Sequence, residues 1–578
     1  MTESTVTFLG FLITVVIVTA WLGFVNNRRR NAVLHSLFTR QFGAIPSKDM
    51  SPERYARVPG YYLKHRSARA IDDITWNDLD LDAVYNRIDI TKSAAGEEYL
   101  YYVLRTPSLS DAYATVREGA VSYFQQDEHE KSRLMMERAL YDLGHTGKFS
   151  LYDYLDLLDE LGERNSFREY MHFVLPFAAI AIMFANVQIG IVLLVLASIV
   201  NMVTYLNEKG RIDPYIVSFR YLLRLLKCSD RLLAVPMTDV PKDLTLDLDA
   251  LRDAAGKLSG FRKGSFMLTR EGGNGNPFDL LFDYIRMVFH LDLIKFNQML
   301  SVAEAQRTDV DRVIEIVGRI DTEISIASYR KSLSYYCTPE FITGKENGSD
   351  IGLRASDLYH PLLEHPVPNS IEAARPILLT GSNASGKSTF LKAAALAALL
   401  GQTILTVCAK EYRGRYYRIY SSMALRDSIQ AGDSYFMVEI KSLKRIVDAA
   451  RAKDSPENPV LCFIDEVLRG TNTIERIAAS SEILETFAKS GVLCFAATHD
   501  IELSELLGAD YDNYHFEEEL RDNEGTGRKD VVFSYEIHRG KARSRNAIRL
   551  LGAVGFDEKI TERAKKRAQA FEATGIWQ

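Results

Sequence analysis

The chain has 578 residues, 47% apolar and 25% charged, an ordinary globular composition but too long for one core, so three or four structural units are expected. A net charge of −6 argues against a basic coat for nucleic acid and leaves room for a local basic face. The cysteines, Cys228, Cys337, Cys408, Cys462 and Cys494, form no CxxC pair and no zinc spacing with histidine, so they read as buried, reduced thiols on a cytosolic side.

The first element is VTFLGFLITVVIVTAWLGFV, Val6 to Val25, a run without charge that is long enough to span about 30 Å of hydrocarbon as a helix. Glu3 precedes it, Arg28, Arg29 and Arg30 follow it, and no small-residue cleavage site is present. That pattern predicts a retained membrane anchor with its N-terminus outside, since the arginines stay in the cytoplasm. Residues 26–170 read as helical, most clearly over Leu81–Leu104. Met171–Leu206 again lacks Asp, Glu, Lys and Arg. One helix of that length would span about 54 Å, so two short transmembrane spans hinged at Asn186-Val-Gln-Ile-Gly190 are expected, with a buried soluble hairpin as the alternative. Two crossings return the chain to its starting side, which puts 26–170 and 207–578 together in the cytoplasm, at a cell membrane crossed several times. Residues 207–345 are helical with a break at Gly272-Gly-Asn-Gly-Asn276 before Pro277.

From about Ile351 short apolar runs, Pro376–Thr380, Val460–Ile464 and Val492–Ala497, alternate with helical stretches, which predicts an α/β domain with a largely parallel sheet. The divisions expected are 1–25 anchor, 26–170 and 207–345 helical core, 171–206 membrane hairpin and 346–578 α/β domain. Gly381-Ser382-Asn383-Ala384-Ser385-Gly386-Lys387-Ser388, followed by Thr389, fits GxxxxGK[ST] between a strand and a helix. In such a loop glycines let backbone N–H groups curl around phosphates, and the helix N-terminus adds positive potential. Lys387 is expected to reach the β- and γ-phosphates of ATP, and Ser388 to ligate Mg²⁺. Val460–Ile464 ends in Asp465-Glu466, so Asp465 is a second candidate for Mg²⁺ and Glu466 a candidate to polarise the attacking water, which points to hydrolysis. His499, after the third apolar run, is a candidate γ-phosphate sensor.

These residues resemble the MutS family of ATPases, related to the ABC class, although the transporter motif LSGGQ is absent. Asp427…Gly432-Asp-Ser434-Tyr-Phe-Met-Val-Glu439 resembles the family segment whose serine contacts the γ-phosphate held by the partner subunit. Asp465-Glu466-Val-Leu-Arg469-Gly470-Thr471-Asn-Thr473 resembles its acidic strand and dimer contact, and Ala497-Thr498-His499 its histidine switch. His360-Pro361-Leu-Leu-Glu364 and Val367-Pro-Asn369 resemble the lead-in. Leu79–Pro107, with Thr91, Gly96 and Leu104, and Arg319-Ile-Asp321…Ser325-Ile-Ala327…Tyr336-Cys337-Thr-Pro339 resemble the two ends of the helical core. Phe533–Gly540, Gly552-Ala-Val-Gly555 and Arg563-Ala564-Lys565 resemble the dimerising tail. The resemblance implies a P-loop, ABC-type ATPase domain joined to an all-α core and lever, here with transmembrane helices. It further implies a homodimer in which Ser434 completes the partner's site.

The departures from the family are as specific. The mismatch-reading N-terminal domain with its Phe-x-Glu wedge is replaced by the apolar anchor and a short lead, and Phe167-Arg-Glu169 abuts the hairpin. Glu475-Arg476 stands where the family has Asp-Gly, Tyr435 where it has threonine, and Ser422 where arginine is common. Two functions remain open. One is a tethered, DNA-associated mismatch-repair relative, with Arg539, Lys541, Arg543, Arg545 and Arg549 gripping phosphates; those bases equally suit a solvated face or a dimer contact. The other is a membrane mechanochemical ATPase acting on lipid or on an unknown protein partner, with no DNA role.

Overall fold

The computed structural model describes the chain except residues 1–2, 48–50, 111–113, 147–148, 160–165, 264–283, 343–351, 382–384, 424–434, 453–457, 470, 523–528, 542–547, 549–550, 552–555 and 575–578. For residues 3–13, 15–16, 20, 154, 157–159, 214, 435, 518–522, 529–532 and 572 it describes the backbone alone. The chain divides into two units. One comprises Met1–Arg66, Ile88–Tyr102 and Arg117–Ser332, and the other Ser67–Arg87, Val103–Val116 and Leu333–Gln578.

The second unit is α/β. Its strands are β1 (Glu340–Phe341), β2 (Leu353–Leu358), β3 (Asn369–Ala373), β4 (Ile377–Thr380), β5 (Glu411–Gly414), β6 (Arg418–Ser422), β7 (Val460–Asp465), β8 (Leu493–Thr498), β9 (Asp512–Asp522) and β10 (Lys529–Arg539). Six of them form a sheet in the order β10-β9-β4-β8-β7-β6. The pairings from β9 to β6 are parallel, and β9 with β10 is antiparallel. Strands β4, β7 and β8 are buried along almost their whole length, as continuous apolar runs must be when helices cover both faces. Helices Tyr435–Arg451 and Thr473–Lys489 cross between parallel neighbours, and Leu443, Ile446, Leu484 and Phe487 pack with Leu378, Ile464 and Cys494. A second, four-stranded sheet in the order β1-β5-β2-β3 mixes parallel and antiparallel pairings. It and the β9–β10 pair make the unit more mixed than the alternation of apolar runs suggests. Their strands are half exposed and carry charges, so apolar runs do not mark them.

The segment Ser67–Arg87 packs within this unit. Asp72 caps the helix Asp73–Asp78, its side chain accepting from Thr75 N at 2.8 Å. Buried Asp78 then accepts from Ser421 Oγ at 2.7 Å and Met423 N at 2.9 Å, and Thr75 Oγ1 accepts from Ser421 N at 3.2 Å. The helix thereby covers the free edge of β6, whose backbone would otherwise be open to another strand.

The other unit is helical. Arg307–Lys331 is its central helix, buried along most of its length. Asp321 on it accepts from Ser93 Oγ at 2.6 Å and from the backbone N–H groups of Lys92 and Ser93. Burial pushes its carboxyl up to about 6 against the pull of those bonds. Gly96 faces it so closely that a Cβ would lie 2.3 Å from Asp321 Oδ2, which accounts for a glycine there.

A helical hairpin of Phe167–Met183 and Val187–Leu233 stands where one was expected, with its bend at Phe184–Asn186. The bend precedes Gly190 because Asn186 caps the second helix, its side chain accepting from Ile189 N. The two arms are unequal, where two short spans were expected. The first has 17 residues, about 25 Å, short of a bilayer core, whereas the second runs on to Leu233. Among the described residues one stretch, Val187–Asp213, is long and apolar enough to cross a membrane. The expected anchor Val6–Val25 falls on a helix, Glu3–Gln41, most of whose side chains up to Ala20 lie outside the described residues. All the cysteines are free thiols and all but Cys337 are buried.

Candidate functional site

The C-terminal ends of β4, β7 and β8 meet at one edge of the six-stranded sheet, where α/β proteins place their ligands. After β4 the chain turns through Gly381 at φ +142° and Gly386 at φ +108°, conformations that favour glycine. Gly386 caps the helix Lys387–Ile404. Ser385 and Lys387 are buried in the turn, and Lys387 Nζ donates to Gly381 O at 2.7 Å. Ser382, Asn383 and Ala384 lie outside the described residues, and so does Ser434. Ser388 Oγ donates to Asp465 Oδ2 at 2.5 Å across the gap from β4 to β7. A hydroxyl and a carboxylate this close form a hard-oxygen pair of the kind that suits Mg²⁺. Thr389, next on the helix, lines a neighbouring cavity.

Glu466 follows β7 at φ +61°, held there by its N–H bond to Ala497 O at 2.9 Å. Its carboxylate lies 2.6 Å from His499 Nε2 and pairs with Arg469. Burial pushes this carboxyl up. The hydrogen bond from His499 and the charges of His499 and Arg469 outweigh burial, so the group settles below the usual carboxylate range and stays ionised at neutral pH. His499 Nδ1 lies 3.0 Å from Gly381 O, so one imidazole joins the acidic turn to the phosphate-type loop.

Three features here were given no role of their own in the sequence reading. Buried Glu439 accepts from Leu468 N at 2.5 Å and Arg469 N at 3.4 Å, fixing the turn after Glu466 where Leu468 adopts φ +58°. A cavity of about 320 Å³ adjoins the loop, lined by His360, Val367, Gly386, Thr389, Phe390 and Tyr535. Tyr535 sits at φ +56° in the β10 bulge, where Asn369 donates to its carbonyl at 3.0 Å and accepts from Ile537 N at 2.8 Å. Burial first, then Lys392, pushes His360 down to about 4, so it faces this cavity as a neutral ring. His360 and Asn369 stood in the lead-in motifs, but their meeting with Tyr535 joins positions far apart in sequence. Of the basic run, Arg539 and Lys541 are exposed, and Arg543, Arg545 and Arg549 lie outside the described residues.

A glycine-turned loop capping a helix, an acidic strand end and a histidine bridging them, on a mostly parallel sheet, have the arrangement of a P-loop ATPase-like domain. Residues 377–572 match the family model for MutS domain V. The chain is 28% identical over 291 residues to the DNA mismatch repair protein MSH3 of Phaeosphaeria nodorum, covering 49% of this chain and 25% of that one. It is 29% identical to the DNA mismatch repair protein MutS of Thermus aquaticus, covering 48% and 32%, and 29% identical to MutS protein homolog 4 of Mus musculus, covering 45% and 27%. The likeness to the MutS family rests on residues 377–572 and on these relatives, of whose length the match spans about a quarter to a third.

Proposed function

We propose that this chain is a membrane-anchored MutS-like ATPase that hydrolyses Mg-ATP across a homodimer interface and converts each cycle into movement of its helical unit. The observation that carries the reading is the convergence of Lys387, the Ser388–Asp465 pair and the Glu466–His499 pair at the ends of β4, β7 and β8. Lys387 leaves Gly381 O to hold the β- and γ-phosphates. Gly381–Thr389 cradle the phosphates, and the cavity beside Tyr535 takes the base. Ser388 and Asp465 hold Mg²⁺, which supplies charge neutralisation on the phosphates when bound. Ionised Glu466 orients the attacking water and draws on its proton. His499 steadies Glu466 and senses the γ-phosphate, and Ser434 of one protomer completes the site of the other.

The names of the relatives favour a DNA-associated role, with Arg539 and Lys541 among the bases available to phosphates. The exposed apolar second arm, including Val192, Val195, Leu196 and Ile199, favours the other reading, a membrane mechanochemical ATPase with a lipid or protein partner. Turnover by the detergent-purified full-length protein, with and without homoduplex, mismatched and single-stranded DNA, separates them. A rate changed by DNA, and no longer changed in Arg543→Ala/Arg545→Ala, supports the first. A rate indifferent to every DNA, with no binding at low salt, supports the second. No Mg-ATP turnover under any condition removes the ATPase reading.

A further inference from the structure

Arg476 stands where the family resemblance calls for glycine, and nothing in the site described so far uses it. It lies in the first turn of the helix Thr473–Lys489, which Asn472 caps by accepting from Ile474 N at 2.9 Å. The guanidinium meets Asp500 in a two-point pair, Nε donating to Oδ2 at 2.9 Å and Nη2 donating to Oδ1 at 2.6 Å. Such a planar fork fixes direction as well as distance, which a single ammonium contact does not. Asp500 is itself mostly buried, and its N–H bonds to Thr498 Oγ1 at 3.0 Å. Thr498 and Asp500 flank His499, so both neighbours of the imidazole are tied down. The helix bearing Arg476 begins directly after the turn that carries Arg469, the other partner of Glu466. Glu466 is therefore reached from two sides by elements that the Arg476–Asp500 pair links.

We propose that Arg476 is a positioning residue that, through Asp500, holds His499 on Glu466 and so sets the hydrolysis rate without touching ATP. This rests on the ATPase reading above. Without the fork the segment after β8 gains freedom, and the imidazole spends less time in the geometry that aligns Glu466, a loss felt in the transition state more than in nucleotide binding.

The test is steady-state Mg-ATP turnover, with fluorescent ATP-analogue binding and thermal melts, on full-length wild type, Arg476→Ala, Arg476→Lys, Asp500→Asn, His499→Ala and Arg476→Ala/His499→Ala. Arg476→Ala is expected to lower kcat about tenfold with KM nearly unchanged. Lysine, with one contact in place of two, restores part of that rate. The double variant is expected to be no slower than His499→Ala alone, because both changes remove one device. Asp500→Asn keeps the side-chain shape and is expected to fold and to share the loss. Wild-type kcat in Arg476→Ala, a full additive loss in the double variant, or a loss that follows lowered melting temperature across all variants overturns the proposal. A wild-type chain with no turnover overturns the ATPase reading and this one with it, whereas wild-type turnover beside an unaffected Arg476→Ala overturns this one alone.

Discussion

The two parts of this chain that invite a function are specified in opposite ways. At the ends of β4, β7 and β8, single residues at fixed spacing carry the proposed chemistry, and most have a named partner within hydrogen-bond distance. Along the second arm of the hairpin, no one side chain matters, and Val187–Asp213 is notable for what it exposes in aggregate. A site of the first kind can be ended by one substitution. A surface of the second kind is a sum of small transfer energies and yields only to a change of charge.

The contrast is broken most directly at Glu466. Glu466→Gln keeps the volume and removes the charge, and turnover is expected to fall by about 10² to 10⁴, the usual range for a lost general base. ATP binding stays, so the protein accumulates as an ATP-bound dimer in size-exclusion chromatography with light scattering. Normal turnover in this variant would take Glu466 out of its role. Lys387→Ala attacks binding instead. Losing a charged contact to phosphate costs about 2–5 kcal/mol, at least about 30-fold in Kd for ATP by calorimetry. An unchanged Kd would leave the loop without a phosphate-binding function.

How much of each region could be read in advance follows from the same contrast. The loop Gly381–Ser388 was legible because its signal is local, with glycines at its described positions of positive φ and a strand and helix at its ends. Asp465, Glu466 and His499 were legible because each directly follows a buried apolar run. Tyr535 was not, because its place depends on Asn369, 166 positions earlier, and on a bulge in β10. Nor was the membership of Ser67–Arg87 in the α/β unit, since Asp78 meets Ser421 across 343 positions. In the hairpin, composition announced two apolar helices, but not where the second ends, because the helix runs on to Leu233 through Gly210 and Pro214, residues that ordinarily signal a break.

The aggregate character of the hairpin is tested by Leu196→Arg, at a position 52% exposed. An arginine at the centre of a membrane helix costs about 3 kcal/mol, so the variant is expected to shift measurably from the membrane to the soluble fraction of lysed cells. ATP turnover, which the proposed function assigns to the other unit, is expected to stay near wild type. An unchanged distribution would point to retention by Val6–Val25 or to a protein partner on this face in place of lipid. Together with the Glu466 result, a shift in location without loss of turnover would establish that anchoring and chemistry are separable.

The smallest effect sharpens the boundary between site and scaffold. His360 lines the cavity beside Tyr535 and is held neutral, its value pushed from the ordinary 6.5 down to about 4 by burial and by Lys392. A depressed histidine contributes no penalty above 6.5, where both folded and unfolded forms are neutral. As pH falls from 6.5 toward 4 the unfolded chain takes up a proton that the folded chain refuses, and stability is lost over that window. The full shift corresponds to about 3 kcal/mol at most, and the part realised is expected to be about 2 kcal/mol. Urea melts between pH 7 and 4 should therefore fall less steeply in His360→Asn than in wild type. If the two curves run parallel, His360 is not buried as a neutral ring, and the cavity it lines is too open to water to favour a planar base. If they diverge as expected while ATP affinity in His360→Asn changes by less than about tenfold, the base is gripped chiefly by Tyr535 and its neighbours. The histidine then serves the packing of the segment between β2 and β3 more than the nucleotide.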